Sequence, residues 1–300
     1  MLLLPKNAKI IAQGLTGSEG SRSLPWVLKY GTNIIAGVTP GKGGQKIQDI
    51  PIFNSVKEAI KEFGEIDGSV QFVPPNFVKK ATIEAIEAGI KFVLIGAEKV
   101  PTKDASYIYE FAKNNGANVV GPNSIGIINP TKKLKLGLIG GGNPSRMFVP
   151  GEIAVISKSG SATAEISLSL KNSGMGISWA IGIGGDRIIG SDFVDFLLEL
   201  EKDKQTKASV IFGELGGTYE ERVAKFVKEG KIQKPVIALI AGDFTTCLPN
   251  EVQFGHAGAM IEGNRGCPKT KRIILKESGV IVANDMDDIP NLLLQALKSS

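Results

Sequence analysis

The sequence predicts an α/β protein with two parallel β-sheets, one in each half of the chain. Short apolar runs rich in Val and Ile recur along the 300 residues, and each is followed by a glycine turn and then by helical periodicity. This alternation is typical of parallel sheets, in which a helix connects each strand to the next. The length and the 42% hydrophobic content suffice for two domains with their own cores.

The first predicted unit, residues 1–134, begins with a strand at 8–12 and a helix that starts near Ser18. The turn between them, residues 14–20, has the sequence GLTGSEG. Glycines at such a turn let the backbone approach a phosphate, and the helix N-terminus offers unpaired N–H groups. The turn predicts a phosphate-binding loop; a tight turn without a ligand is the alternative.

The end of the second predicted strand, at 33–38, bears on which nucleotide binds. A nicotinamide dinucleotide fold places Asp or Glu there, about 20 residues past the glycines, to bind the ribose hydroxyls. This chain has TPGKGG at 39–44, so the acid is missing and Lys42 stands close by. A lysine favours an additional phosphate. Coenzyme A, with its 3′-phosphate, fits this pattern, and NADP is the alternative.

Further strands end near 72–77 and 92–101, and a strand at 117–120 leads into the turn 121–124. Because ligand contacts cluster at the carboxyl ends of parallel strands, these loops are expected to complete one crevice. The glycine-rich stretch 135–150 shows neither a helical nor an alternating pattern and is interpreted as a linker.

The second unit, residues 151–300, begins with a strand at 151–156, the turn SKSGS at 157–161 and a helix from about 162 to 170. Serines and a glycine at a helix start predict either a second anion site or plain N-capping. Later elements follow the same alternation: a strand at 209–212, a helix at 220–229, a strand at 236–240, and helices at 269–277 and 289–298 that are expected on the surface.

His256 is the only histidine of the chain and lies between glycines. Small neighbours remove steric cover, so the ring is expected on a loop that other groups can approach. Imidazole is a nucleophile near neutral pH and can carry a phosphoryl group, and a plain surface or core role for a lone histidine is the alternative. Glu214 follows a predicted strand, where a carboxylate is either solvated or placed beside an imidazole.

Composition argues against several classes of function. The net charge is +5, but the lysines are scattered and not interleaved with aromatic residues, so no nucleic-acid partner is predicted. Cys247 and Cys267 lack metal-ligand spacing, so no metal site is predicted. The segment 1–4 is too short for a signal peptide, and no apolar run reaches the ~18 residues of a membrane span. A soluble, cytoplasmic protein without a membrane partner is expected.

Three segments carry a resemblance to a known family: GIGGD at 182–186, GELGG at 213–217 and GHAGA at 255–259. In this order they resemble the signature segments of the α-subunit of succinyl-CoA synthetase, and the similarity covers essentially the whole chain. The superfamily also includes ATP-citrate lyase and citryl-CoA synthetase. The resemblance implies a Rossmann-like CoA-binding domain, then a flavodoxin-like ligase domain, with His256 as the phosphorylated residue and Glu214 as its partner.

The resemblance also implies binding residues. Family CoA-contact positions correspond to Thr16, Gly17, Ser18, Glu19, Lys42, Ala97, Glu98 and Lys99. The family usually has Thr-Glu-Gly at the last three, so only Glu98 is a clean match there. Family positions near the phosphate and the substrate correspond to Asn123, Ser159, Gly160, Ser161 and Ala164. For the turn that contains Asn123, a purely structural role is the alternative.

In the implied reaction a carboxylate takes the γ-phosphoryl group of a nucleoside triphosphate, CoA displaces the phosphate, and His256 carries the phosphoryl group between sites. The sequence has no Walker loop and no evident cluster of metal-binding carboxylates. The resemblance therefore implies a β-type ATP-grasp partner subunit that binds ATP and Mg²⁺.

The identity of the acid depends on finer differences. Succinyl-CoA synthetases have Thr-Leu-Thr-Tyr-Glu after the serine turn, and this chain has SATAE at 161–165, which replaces a tyrosine with Ala164. Segments 184–191, 216–231 and 251–254 resemble ATP-citrate lyase more closely, yet no citrate-synthase-like portion follows. The chain thus resembles the small subunit of citryl-CoA synthetase, acting on citrate. A succinyl-CoA synthetase α-subunit, a CoA-binding regulatory protein and an NADP-dependent oxidoreductase are the alternatives.

Overall fold

The computed structural model describes residues 2–242, 256–259 and 266–299. Its described part contains two seven-stranded sheets. The first has the strand order β3-β4-β2-β1-β5-β6-β7 and is parallel except for the β3/β4 pair. Its strands are β1 (Ile10–Gln13), β2 (Ile34–Val38), β3 (Lys46–Ile47), β4 (Ile50–Phe53), β5 (Gly68–Gln71), β6 (Phe92–Ile95) and β7 (Asn118–Val120).

Helices cover both faces of this sheet: α1 (Ser18–Tyr30), α2 (Val56–Phe63), α3 (Pro75–Glu87) and α4 (Thr102–Asn114). From β1 the next strands in the chain are added on one side of the sheet, and from β5 onward they are added on the other side. The strand order therefore reverses between β1 and β5. Such a reversal opens a crevice at the carboxyl ends of the two strands.

The second sheet has the order β14-β13-β12-β10-β11-β8-β9, and only its β8 and β9 edge is antiparallel. Its strands are β8 (Gly126–Asn129), β9 (Leu134–Gly137), β10 (Pro150–Ser157), β11 (Ile177–Gly182), β12 (Ala208–Gly213), β13 (Val236–Ile240) and β14 (Ile281–Val282). The accompanying helices are α5 (Gly160–Asn172), α6 (Phe193–Lys202), α7 (Tyr219–Lys228), α8 (Pro268–Glu277) and α9 (Asp288–Ser299). Here the reversal lies between β10 and β12.

The prediction of two parallel-dominated α/β sheets is confirmed. The chain passes from the first sheet to the second between Val120 and Gly126, and β9 packs against α1 of the first unit. One apolar cluster accordingly includes Leu24 of α1 and Leu136 of β9. The segment 135–150, predicted as a linker, holds most of β9 and a 3₁₀ turn at Pro144–Arg146. The division at 134 and 150 stays a prediction.

Within the described ranges, no helix is both long enough and apolar enough to cross a membrane. Cys247 and the segment 251–254, which entered the sequence-based interpretation, lie outside these ranges.

Candidate active site

The carboxyl edge of the second sheet brings three predicted site segments together. The turn after β10 carries Lys158, the segment after β11 carries Gly185, and the segment after β12 carries Glu214. Because β10 and β12 are parallel neighbours at the point of reversal, their following residues open into one crevice. The sheet topology therefore places residues far apart in sequence around the loop that holds His256.

Glu214 and His256 form the centre of this cluster. The carboxylate oxygens of Glu214 lie 2.9 and 3.2 Å from Nδ1 of His256. The glutamate side chain is 11% exposed, whereas the imidazole is 31% exposed. No described residue forms a hydrogen bond with Nε2 of this histidine. The pairing thus fixes one ring nitrogen inside the protein and leaves the other for an incoming group.

Lys158 is a third member of the cluster that the sequence-based interpretation did not single out. Its side chain is only 1% exposed, and its ammonium group lies 3.4 Å from Oε1 of Glu214. It also lies over the ring of Tyr219, 5.7 Å from the centroid. In the sequence this lysine stands between two serines of a polar turn, which is typical of a solvated lysine. Nothing in that local pattern indicates burial beside a carboxylate.

The electrostatics of the pair follow from these contacts. The hydrogen bond with Glu214 raises the pKa of His256, although burial and the nearby Lys158 act against it. Burial alone would raise the pKa of Glu214, but the hydrogen bond with His256 and the charge of Lys158 outweigh it and hold that pKa below its ordinary value. Glu214 is therefore an ionised carboxylate at neutral pH, which favours the proton on Nδ1.

The imidazole of His256 lies directly on the backbone of Gly185. A Cβ atom at this glycine would lie 2.5 Å from Cγ of the histidine, so no larger residue fits without moving the ring. The backbone N–H of Gly258 donates to the carbonyl oxygen of Gly185 at 3.1 Å, which ties the histidine segment to the same turn. The glycine signature at 182–186 is thus explained by a close approach.

Asp186 connects this turn to the first unit. It is buried, and this burial raises the pKa of its carboxyl group, although the nearby side chain of Asn123 acts to lower it. Asn123 in turn donates its backbone N–H to the carbonyl oxygen of Ala97 at 2.8 Å. Two predicted positions, Asn123 and Ala97, therefore lie in one continuous set of contacts that reaches the turn under His256.

The N-terminus of α5 lies next to Lys158 in the chain. Ser159 is the N-cap, and its hydroxyl accepts a hydrogen bond from the backbone N–H of Ala162 at 3.4 Å. The hydroxyl groups of Ser159 and Ser161 are 3.1 Å apart. The structure thus shows the capping role; the anion-binding role of Ser159, Gly160 and Ser161 stays a prediction. Ala164 is half-buried one turn further along the helix.

A second crevice lies where the first sheet reverses. It is a groove of about 430 Å³ lined by the ends of β1, β2 and β5 and by α3, with Thr16 and Gly17 among its residues. The hydroxyl groups of Thr16 and Thr39 are 3.2 Å apart, which joins the turn after β1 to the turn after β2. Gly17 caps α1 without any side-chain hydrogen bond to the helix N–H groups.

The other predicted CoA-contact residues do not line this groove. Ser18 and Glu19 form the first turn of α1, and Glu19 pairs with Arg22 at 2.8 Å. Lys42 lies in the turn after β2. Glu98 and Lys99 follow β6 and form an exposed pair at 3.4 Å. Thr16 and Gly17 therefore line the groove, and Ser18, Glu19, Lys42, Glu98 and Lys99 lie outside its lining.

Phe77 also lines the groove and was not predicted as a contact residue. Its ring is 60% exposed at the start of α3, which is unusual for a large apolar side chain. The sequence did contain an indication, because Phe77 belongs to the strand end at 72–77 that was expected to complete the crevice.

Two family models match the chain, one in each half. Residues 5–99 match the model of the CoA binding domain, and residues 150–295 match that of the succinyl-CoA ligase like flavodoxin domain. The chain is 41% identical to the α-subunit 2 of an ADP-forming succinate–CoA ligase of Archaeoglobus fulgidus, over 99% of both chains. It is 38% identical to the α-subunit of the malate–CoA ligase of Methylorubrum extorquens, over 95% of this chain and 94% of that one.

Among solved structures, ATP citrate lyase from Methanothrix soehngenii, in complex with citrate and coenzyme A, superimposes with a TM-score of 0.89 at 27% identity. The match covers 99% of this chain and 51% of that chain, so this protein spans about half of the lyase chain.

Fold and site together define a CoA ligase subunit with a CoA-binding domain followed by a flavodoxin-like ligase domain. The chain belongs to the family of succinate–CoA ligase α-subunits. The predicted fold class and family resemblance are thereby confirmed, and the α-type membership implies a β-type partner subunit.

Proposed function

We propose that this chain is the α-type subunit of a nucleoside-triphosphate-dependent acid–thiol ligase in which His256 carries a phosphoryl group. The contact between Glu214 and Nδ1 of His256 is the observation that carries the proposal. A carboxylate on Nδ1 holds the proton there, so the lone pair of Nε2 points outward as the nucleophile. The partly exposed imidazole on a glycine-flanked segment suits a group that two sites must reach.

The first step, phosphoryl transfer to His256, needs no additional general base. Nε2 attacks the γ-phosphorus, the P–N bond forms, and the P–O bond to the nucleoside diphosphate breaks. The ring keeps its Nδ1 proton and becomes cationic, and Glu214 offsets this charge.

In the second step an oxygen of the acid attacks the phosphorus and the P–N bond breaks, which leaves neutral His256 and an acyl phosphate. The sulfur of CoA then attacks the carbonyl carbon, its proton passes to solvent, and inorganic phosphate leaves.

We assign the groove at the reversal of the first sheet to CoA. Support comes from the match to the CoA binding domain and from the uncapped N-terminus of α1, whose N–H groups suit a phosphate. Thr16, Gly17, Ser18 and Glu19 lie at this end, and Lys42 is the cation for the 3′-phosphate. Ala97, Glu98 and Lys99 follow β6, and the carbonyl oxygen of Ala97 accepts a hydrogen bond from the backbone N–H of Asn123. We assign these three residues to the thiol end of CoA.

The N-terminus of α5, with Ser159, Gly160 and Ser161, is proposed to bind the phosphoryl group during transfer. Its dipole and its first N–H groups favour an anion. We further propose that a β-type ATP-grasp subunit binds ATP and Mg²⁺ and presents the γ-phosphate to His256. In the described ranges, no group of three or more acidic, His or Cys residues is arranged to hold a metal ion.

For the acid, citrate is the first candidate. Ala164 replaces the tyrosine found in succinyl-CoA synthetases, which enlarges the pocket and removes a hydroxyl donor, and the fold superimposes on a citrate-bound ATP citrate lyase. Succinate is the second candidate, because a relative at 41% identity is named a succinate–CoA ligase subunit. Malate is included because another relative is named for it.

The proposal is tested with the chain co-purified with its β-type partner. CoA- and ATP-dependent thioester formation is measured with citrate, succinate and malate at matched concentrations. Thioester formation with any of them, lost in His256→Asn while CoA binding persists, supports the ligase. Activity that survives His256→Asn overturns the phosphohistidine, and CoA binding without thioester formation for any acid favours a regulatory protein. A preference for succinate or malate overturns the citrate assignment only.

A further inference from the structure

Lys271 is buried inside the second unit although it belongs to a helix with a charged sequence. Its side chain is 0% exposed, near the start of α8. The ammonium group donates to the carbonyl oxygen of Glu214 at 3.0 Å and to that of Gly216 at 2.7 Å, and it pairs with the carboxylate of Glu220. All three acceptors thus belong to the segment after β12 or to the helix that follows it.

Glu220 completes the attachment from the other side. Its side chain is also 0% exposed, and its Oε1 accepts a hydrogen bond from the backbone N–H of Glu214 at 3.2 Å. A Cβ atom at Gly213 would overlap the Glu220 carboxylate, so this glycine lets the helix approach the strand end. Both polar groups of the Glu214 backbone are therefore bound by one buried ion pair.

A buried ion pair contributes little net stability to a fold, since desolvation of both charges opposes their attraction. Lys135, which is likewise 0% exposed, shows the contrast. It lies 3.5 Å from the carbonyl oxygen of Gly137 and has no carboxylate partner in the described part of the chain, and burial lowers its pKa to about 8. Lys271 instead directs its donors at the segment that carries Glu214.

We propose that Lys271 and Glu220 are positioning residues that fix the backbone of Glu214 and so hold its carboxylate against Nδ1 of His256. This inference rests on the proposed role of His256 as phosphoryl carrier. It goes beyond that role, because it assigns a task to two residues that touch neither the histidine nor a substrate. The rigid backbone keeps the carboxylate in place while the neighbouring histidine segment is visited from two sites.

In Lys271→Met, the loss of a charge and the loss of positioning would shift the pKa of His256 in opposite directions. The charged groups that face the imidazole are Glu214 after β12, Lys158 after β10 and Asp186 after β11. Removal of the cation in Lys271→Met would, by charge alone, raise the pKa of His256. Displacement of Glu214 removes the hydrogen bond that raises this pKa and therefore lowers it. A lowered pKa is thus diagnostic of lost positioning.

The test uses the untagged chain with isotope-labelled histidine, assembled with its unlabelled partner subunit, so that His256, the only histidine of the 300 residues, gives a single imidazole signal in an NMR titration. The variants are Lys271→Met, Glu220→Gln and the double variant, which removes both charges and so leaves no buried charge without its partner. Lys135→Met is the matched control for the loss of a buried lysine. Thermal unfolding is recorded for each, and phosphorylation by ATP is measured with the co-purified partner subunit.

We expect Lys271→Met and the double variant to lower the His256 titration midpoint and to slow phosphorylation about tenfold or more, as losses of supporting contacts do at other sites. The double variant recovers thermal stability relative to Lys271→Met without recovering the midpoint. Lys135→Met leaves the midpoint unchanged. A wild-type midpoint in the folded double variant overturns the inference, as does a raised midpoint in Lys271→Met.

If Lys271→Met does not fold, the double variant and Glu220→Gln still give the midpoint, and an unchanged midpoint in both overturns the inference. If no variant and no wild type is phosphorylated, the proposed function fails, while the titration still decides whether the pair positions Glu214.

Discussion

The carboxylate of Glu214 lies 2.9 Å from Nδ1 of His256, although 42 positions separate the two residues in the chain. The contact exists because β12 ends beside β10, and because the glycine turn after β11 gives the imidazole a flat support. It determines which ring nitrogen is available for chemistry and which is held by the protein.

Replacement of Glu214 by Gln keeps an oxygen that accepts from Nδ1–H but removes the negative charge. Because the phosphorylated ring is cationic, we expect phosphorylation of His256 to fall at least about tenfold. The rate is measured with labelled ATP and the partner subunit. Glu229→Gln, a change at an exposed carboxylate paired with Lys231, is the control. An unchanged rate in Glu214→Gln would remove the carboxylate from the mechanism.

The pH dependence follows from the raised pKa of His256. Phosphorylation requires the neutral imidazole, so the rate is lost as pH falls through a midpoint above the ordinary value of about 6.5. The rate is measured from about pH 5 to about pH 9, in steps of ~1 unit or finer. In Glu214→Gln the midpoint moves to lower pH, because the hydrogen bond to a carboxylate is lost. A midpoint that stays in place in that variant would contradict the assigned contact.

The stability of the folded protein also depends on pH, through the shifted pKa values of His256 and Glu214. The raised pKa of His256 contributes stability that is present below its unfolded pKa and is lost as pH rises through the folded one. The lowered pKa of Glu214 contributes stability above its unfolded pKa, lost as pH falls through the folded one. Thermal unfolding of His256→Asn against wild type checks this, and the difference should shrink on the alkaline side.

Lys158→Met removes the buried cation next to Glu214. Because Lys158 lowers the pKa of His256, its loss raises that pKa, and a larger fraction of the imidazole is protonated at neutral pH. We expect phosphorylation at neutral pH to slow and its pH midpoint to move up, opposite to the shift in Glu214→Gln. Lys207→Met, at an exposed lysine before β12, serves as the comparison. A downward shift in Lys158→Met would contradict the electrostatic account.

Gly185→Ala places a Cβ atom 2.5 Å from Cγ of His256 and displaces the ring from Glu214. We expect loss of most phosphorylation, about tenfold or more, in a folded protein. Gly96→Ala is a suitable control, since its Cβ would have no neighbour nearer than 3.7 Å. Equal rates in the two alanine variants would show that the histidine does not use this position.

Lys42→Gln tests the cation proposed for the 3′-phosphate of CoA. We expect CoA to bind about fivefold or more weakly, as for the loss of one charge-assisted hydrogen bond, with little change for dephospho-CoA. Both affinities are measured by calorimetry, with Lys46→Gln on the neighbouring β3 as control. Equal weakening for both ligands would place Lys42 away from that phosphate.

The sequence predicted most of the fold because the strands of the sheet centres are continuous apolar runs. The helix α5 and the strands β12 and β13 lie within a few residues of their predicted bounds. The short strands β3, β4, β8, β9 and β14 were not predicted, because two to four residues carry too little periodicity and their pairing depends on tertiary contacts. The six-residue strand β11 was also missed, although all of its residues are buried.

The site was predictable only in part. The link between Glu214 and His256 came from the family resemblance, since no local spacing connects them. Lys158 and Lys271 were missed because a lysine in a polar turn or on a charged helix is typical of solvent exposure. The helix at 269–277 was expected on the surface, and its outer face is exposed, but Lys271 and Leu275 are buried. Burial of a charge is decided by distant partners, which the sequence alone does not show.

The phosphohistidine is tested most directly by incubating the chain and its partner subunit with γ-labelled ATP and mapping the phosphorylated residue. We expect one acid-labile, alkali-stable phosphoryl group on His256, which is absent in His256→Asn and is discharged when the carboxylic acid and CoA are added together. Thioester formation without any phosphorylated histidine, or with the label on another residue, would contradict this expectation.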